Sequence, residues 1–204
     1  MEILTQSLGA VFGFIDGILR GFTDLFLIKP LPANLNYLED ADLKSLDGEE
    51  RTFKAKALWQ ESGAVIMAEA SELSSLKPQL DQLGVPLYAV VKEDIGTEVR
   101  DFRPYFAGEI FLDIKKRFYG PRERKMGLSA FIRLGVWRSG LRAFRNGFMG
   151  NVRGEGFVLG AVYVLGAGEQ GIVMEHREME FGDKVNILEV LRAVRRLPVE
   201  LVEK

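Results

Sequence analysis

Cysteine is absent from the 204 residues, and histidine occurs once, as His176. The first absence excludes disulfides, thiolate nucleophiles, iron–sulfur ligation and every cysteine-type zinc site. The second excludes any two-histidine metal motif. Carboxylates, lysines, tyrosines and hydroxyls are left to do chemistry, and no catalytic, cofactor-binding or metal-ligating residue is expected among them, nor any cofactor. Net charge is scarce too, at −2 from 27 basic and 29 acidic side chains. A wholly basic nucleic-acid binder is thereby excluded. The lack of disulfides fits a reducing, cytoplasmic setting, with membrane association and secretion as alternatives.

Apolar residues make up 47% of the chain, enough at this length for one globular domain with an appendage. The expected division is an N-terminal apolar helix over 1–30 and a folded domain over 31–204, with a basic insert at 115–153. That insert holds eleven Lys and Arg residues against the single acid Glu123, so it carries +10 and the remainder −12. Such asymmetry points one surface at an anionic partner.

Residues Leu8 to Ile28 form a 21-residue apolar stretch, long enough to cross a bilayer as a helix. Gly9, Gly13, Gly17 and Gly21 recur every fourth residue, as do Asp16, Arg20 and Asp24. Charges at the centre of a span cost about 2.5–3.5 kcal/mol each on insertion scales. The pattern therefore suits an interfacial or weakly inserted helix. A helix packed on its own domain and a targeting sequence are the alternatives. Met1-Glu2 supplies no positive flank for a signal peptide, and Pro30 and Pro32 end the segment.

Periodicity orders the rest. A helix is expected around Ala55 to Glu61, and Ala64–Ala68 (AVIMA) reads as a buried strand. Glu69 to Leu83 has helical spacing at Leu73, Leu76, Leu80 and Leu83, with Pro78 imposing a kink or break. Val85–Val91 reads as a second buried strand, Thr97 to Tyr105 as a helix and Glu109–Asp113 as a third strand. A hairpin follows, Phe157–Leu165 with Gly171–His176, around a glycine-rich turn. Asp183 is the expected N-cap of a last helix to Arg196, with Val185, Leu188, Leu191 and Val194 inward. The order is β-α-β-α-β, insert, β-β-α, that of a thioredoxin-like α/β domain.

Longer strings sharpen this. Arg51–Trp59 (RTFKAKALW), Gly63–Ala68 (GAVIMA), Leu80–Lys92 (LDQLGVPLYAVVK), Gly108–Asp113 (GEIFLD), Arg117–Pro121 (RFYGP), Glu175–Glu178 (EHRE) and Phe181–Val185 (FGDKV) closely resemble the peroxiredoxin-like 2 family. That thioredoxin-fold family is related to the AhpC/TSA peroxiredoxins. The resemblance covers about Leu38 to Val190 and implies antioxidant and redox-regulatory work. A sister branch reduces prostaglandin H-type endoperoxides. Family members carry a Cys-x-x-Cys loop between the first core strand and the next helix. Here Ala68 runs straight into Glu69-Ala70-Ser71, so the loop and both cysteines are missing and no catalytic position carries over. Ser71, Ser74 and Ser75 lie near the gap, but hydroxyls cannot undergo a dithiol's two-electron cycle. So short a junction is expected to make the strand end or the first helical turn give way.

Within the insert, Phe131, Leu134, Trp137, Leu141, Phe144 and Phe148 form an apolar stripe, with Arg138, Arg142 and Arg145 on another face. Plain packing on the sheet and docking on an anionic membrane or protein partner are both open, and no recognition motif favours nucleic acid. His176, among Glu175, Arg177, Glu178 and Glu180, reads as part of a solvated charge cluster. Gly166–Gly171 leads from strand to strand and so reads as a turn rather than a phosphate loop. Three functions stay open: a catalytically silent family member acting by binding, a peripheral membrane protein, and a splice or gene-model variant of an active reductase. Oligomeric state is left unspecified.

Overall fold

A computed structural model describes residues 31–46, 50–68, 72–95, 98–121, 159–178 and 183–197. The expected N-terminal helix and the arginine-rich stripe of the insert lie outside these residues. Seven strands form one sheet: β1 (Asp42–Ser45), β2 (Thr52–Lys54), β3 (Ala64–Ala68), β4 (Leu87–Val91), β5 (Glu109–Asp113), β6 (Ala161–Leu165) and β7 (Ile172–Arg177). Their order is β2-β1-β5-β4-β3-β6-β7, with β5, β4 and β3 mutually parallel and every other pairing antiparallel. Among the described residues four α-helices accompany them: α1 (Leu35–Glu39), α2 (Lys77–Gln82), α3 (Glu98–Phe102) and α4 (Ile187–Val194).

β3 is apolar throughout because the sheet is covered on both faces. Val65 and Met67 enter one core with Leu73, Leu80, Val99 and Val190, so α2, α3 and α4 cover that face. Ala64, Ile66 and Ala68 enter the other with Leu38, Trp59, Phe118 and Tyr163. The alternation of a strand thus splits five consecutive apolar residues between two cores.

The expected thioredoxin-like order is present, with changes at its boundaries. The helix expected at Ala55 to Glu61 is a single 3-10 turn, Ala55–Leu58. One turn is enough to bury Ala55, Leu58 and Trp59. The chain then turns at Gly63, whose φ of +72° and ideal Cβ position 2.8 Å from the Leu165 carbonyl oxygen leave no room for a side chain. The hairpin β1–β2 and helix α1 have no counterpart in the sequence reading. β1 offers two inward residues, Leu43 and Ser45, and β2 has three residues in all, too few for a periodic signal.

The helix expected over Glu69 to Leu83 is in two parts, a 3-10 segment Glu72–Leu76 and then α2, where Pro78 occupies the first turn. Proline is tolerated there because the early amides have no partner within the helix. Residues 69–71 fall outside the described set. β4 starts at Leu87, two residues later than expected. Thr97 to Tyr105 divides into α3 and a 3-10 turn, Arg103–Tyr105. The last helix is capped by Asn186, whose side chain accepts the Leu188 amide at 3.0 Å, and not by Asp183. Val190, Ala193 and Val194 therefore point inward with Val185, while Leu188 is 62% exposed. Val185 precedes the helix, so counting in threes from it gave Leu188 the wrong face.

Candidate functional site: the carboxyl edge of the parallel strands

Open α/β sheets bind ligands beyond the carboxyl ends of their parallel strands. Here that edge is Ala68 of β3, Val91 and Lys92 at the end of β4, and Asp113 of β5. Asp113 is wholly buried. One carboxylate oxygen accepts the Phe118 amide at 2.8 Å and the other accepts the Lys115 amide at 3.3 Å. Burial pushes its carboxyl above the usual range, and the backbone amides of Phe118, Lys115, Lys116 and Arg117 pull the other way. The carboxylate thus organises the turn after β5, where Lys116 takes a left-handed φ of 54°.

That turn delivers the aromatic residues of the Arg117–Pro121 string beneath the sheet. Tyr119 donates its hydroxyl to the Val90 carbonyl at 3.0 Å, and Tyr163 donates to the Phe118 carbonyl at 2.9 Å. Lys92 is 6% exposed, with its ammonium 5.7 Å from the centre of the Tyr119 ring. Outside this layer the turn is pinned by ions. Arg117 meets Asp40 at 2.9 Å and covers the Tyr37 ring, while Lys115 meets Asp42 at 3.0 Å. Lys54 of β2 joins both aspartates at 2.8 and 2.7 Å. Hydrogen bonds from Lys54 and Lys115 hold the Asp42 carboxyl down at about 2.

This edge positions carbonyls, aromatic rings and cations, and it contains no sulfur nucleophile. Ser74 accepts the Ala107 amide at 3.3 Å, which ties it to the segment leading into β5, and Ser71 is outside the described residues. His176 lies on β7 opposite Val162, whose partner on β3 is Met67. It therefore sits one residue in from the edge and two strands from β3. Its side chain is only 24% exposed, which corrects the reading of a solvated cluster: alternation along β7 sends Glu175 and Arg177 to the other face. Gly166–Gly171 is a turn between strands as expected, with Gly168 in the left-handed region at φ +54°.

Among the described residues no three His, Cys, Asp or Glu side chains are grouped to hold a metal ion, and no helix is long and apolar enough to cross a membrane. Two open clefts lie away from that edge, the larger at the amino ends of β4 and β5. One of about 590 Å³ is lined by Lys77, Asp81, Tyr88 and Glu109, the other of about 500 Å³ by Arg51, Phe53, Leu58 and Phe111. Burial, then the Glu109 charge, pushes the Tyr88 phenol up. Periodicity and motifs in the sequence assign no role to Lys92, Asp113, Tyr119 or Tyr163. The one signal was an acid closing an apolar strand, followed by an aromatic pair before Gly120-Pro121.

Residues 72–180 match the family model described as AhpC/TSA antioxidant enzyme. Over 211 aligned positions the chain is 59% identical to "Peroxiredoxin-like 2A" of Danio rerio, covering 98% of this chain and all of the relative. It belongs to the peroxiredoxin-like 2A family. The Homo sapiens member is 60% identical over 208 positions, covering 97% of this chain and 91% of its own. Since 98% of 204 residues is about 200, about ten positions of the Danio rerio family member have no counterpart here. The structure of reduced Prx3 from Vibrio vulnificus in complex with H2O2 superposes with a TM-score of 0.51 at 16% identity, covering 82% of this chain and 98% of that one. The family's peroxiredoxin and thioredoxin-like fold is thereby shown for this chain.

Proposed function

We propose that this chain is a member of an antioxidant, redox-regulatory family that turns over neither peroxide nor disulfide and acts by binding. The observation that carries the reading is the complete absence of cysteine. Dithiol exchange needs a thiolate to attack and a second thiol to resolve the mixed disulfide, and no oxygen or nitrogen nucleophile substitutes for that pair. The carboxyl edge agrees with it, because the Tyr119 and Tyr163 hydroxyls are engaged with backbone carbonyls and the Asp113 carboxylate with backbone amides. What the edge retains is a shaped, cation-bearing surface. A coupled assay with NADPH, thioredoxin reductase, thioredoxin and hydrogen peroxide tests the proposal. No consumption above the buffer blank is expected, and turnover above it refutes the reading.

The ten or so unmatched positions favour a second reading, in which the chain is an abbreviated product of a gene whose longer product carries the thiols. Sequencing the genomic segment that encodes Met67 to Ser71 separates the two. A skipped exon encoding Cys-x-x-Cys supports abbreviation, and uninterrupted coding rules it out.

A further inference from the structure

His176 is the single histidine of the chain. Its Nε2 is buried and makes no hydrogen bond, a condition that native structures seldom leave without a reason. The Asp183 carboxylate stands 3.9 Å from that nitrogen, beyond hydrogen-bonding distance and within reach of a small side-chain rotation. The two residues belong to different parts of the fold. His176 is on β7, the sheet's last strand, and Asp183 lies in the segment that leads into α4. α4 packs against β7 and β6, so the pair spans the seam between the sheet edge and the closing helix.

Among the described residues the other charged groups on these elements are occupied elsewhere or exposed. Glu175 and Arg177 pair with each other on the opposite face of β7. Glu178 accepts the Gly160 amide at 3.1 Å. Lys184, Glu189 and Arg192 are exposed, and β6 presents Val162 and Val164 toward this core.

We propose that His176 and Asp183 form an acid-closed clasp between β7 and α4. A proton taken from solvent converts the imidazole into a cation with a charged Nε2–H, which donates to the Asp183 carboxylate and closes the gap. The new N–H bond is the only covalent change. Imidazoles change charge between about pH 5 and 8, where carboxylates as a class stay ionised. The clasp's contribution is therefore complete on the acid side of that range and is lost as pH rises through it. Attachment of the closing helix to the sheet edge becomes sensitive to mild acidification.

Thermal unfolding of the full chain and of D183N, at about pH 5.5 and about pH 8, reads the clasp. The unsubstituted chain is expected to melt about 2–4 °C above D183N at the acid pH, and the gap is expected to vanish at the alkaline one. Adding D183N to H176Q should produce no pH-dependent gap. An equal gap at both pH values, or coincident melting at the acid pH, overturns the proposal. Because one histidine supplies all imidazole signals, NMR provides a second readout that does not depend on how well D183N folds. Slowed solvent exchange of the His176 Nε2 proton at the acid pH is expected, and exchange as fast as in a free imidazolium overturns the clasp.

Discussion

Asp113 shows how one side chain can set a local architecture. A carboxylate with 0% exposure is tolerated because backbone amides of the following turn surround it. Replacement by alanine would leave the Phe118 and Lys115 amides without their acceptor, at a cost of about 1–3 kcal/mol. Asn keeps one acceptor and carries no buried charge, so D113N should lose less than D113A in urea denaturation. Its pH dependence should differ as well. Burial raises the Asp113 carboxyl in the folded state, so the fold loses stability as pH rises above the ordinary carboxylate range, and D113N should remove that part of the slope. Tyr163→Phe deletes the donor to the Phe118 carbonyl and should cost about 1 kcal/mol in the same measurement. Of these residues, the sequence marks Asp113 only as the end of an apolar strand. Its burial depends on a turn whose hydrogen bonds reach two to five residues onward, a scale at which hydrophobic periodicity carries no information.

Among elements, the hairpin β1–β2 is attached at one edge to β5, and the ion network of Asp40, Asp42, Lys54, Lys115 and Arg117 joins it to the turn after β5. Lys54 and Lys115 hold the Asp42 carboxyl at about 2, below the value expected for an unfolded aspartate. Stability from this group is therefore present above about pH 4 and is lost as pH falls toward 2. Melting curves of D42N should show a shallower acid limb than those of the unsubstituted chain, and the difference should shrink at high salt because the network is exposed. At the other end, Asn186→Ala removes the cap of α4 and should cost about 1 kcal/mol in thermal unfolding. The central strands were legible because their apolar runs are unbroken. The hairpin was not, since four- and three-residue strands carry too few inward positions to show a period. The capping residue of α4 was misplaced for a related reason: Asp183 is a good cap by type, and only the extended path of residues 183–186 moves the helix start to Ile187.

For the molecule as a whole, the sheet holds β3 between β4 and β6 with both faces buried, so the strand that precedes residues 69–71 and the helical segment that follows them are both in place. Grafting a Cys-x-x-Cys loop between Ala68 and Glu69 should therefore produce measurable thiol–disulfide exchange in the coupled assay, where the unmodified chain is expected to produce none. A well-folded graft that stays silent would show that the scaffold lacks more than the two thiols. Core integrity can be read independently. Leu80→Ala, at a position with 0% exposure between α2 and the sheet, should cost about 2–5 kcal/mol.

Composition by itself determined what chemistry the chain lacks, because a thiol that is not in the sequence cannot be supplied by folding. Apolar runs at strand length determined the parallel centre of the sheet and its order of elements, since such segments must be buried wherever they end up. Tertiary structure alone decided which polar groups lie together. Asp113 beneath Phe118, Tyr119 against Val90, and His176 beside Asp183 result from strand register and from which residues cap the helices, and these are settled by contacts between segments far apart in the chain.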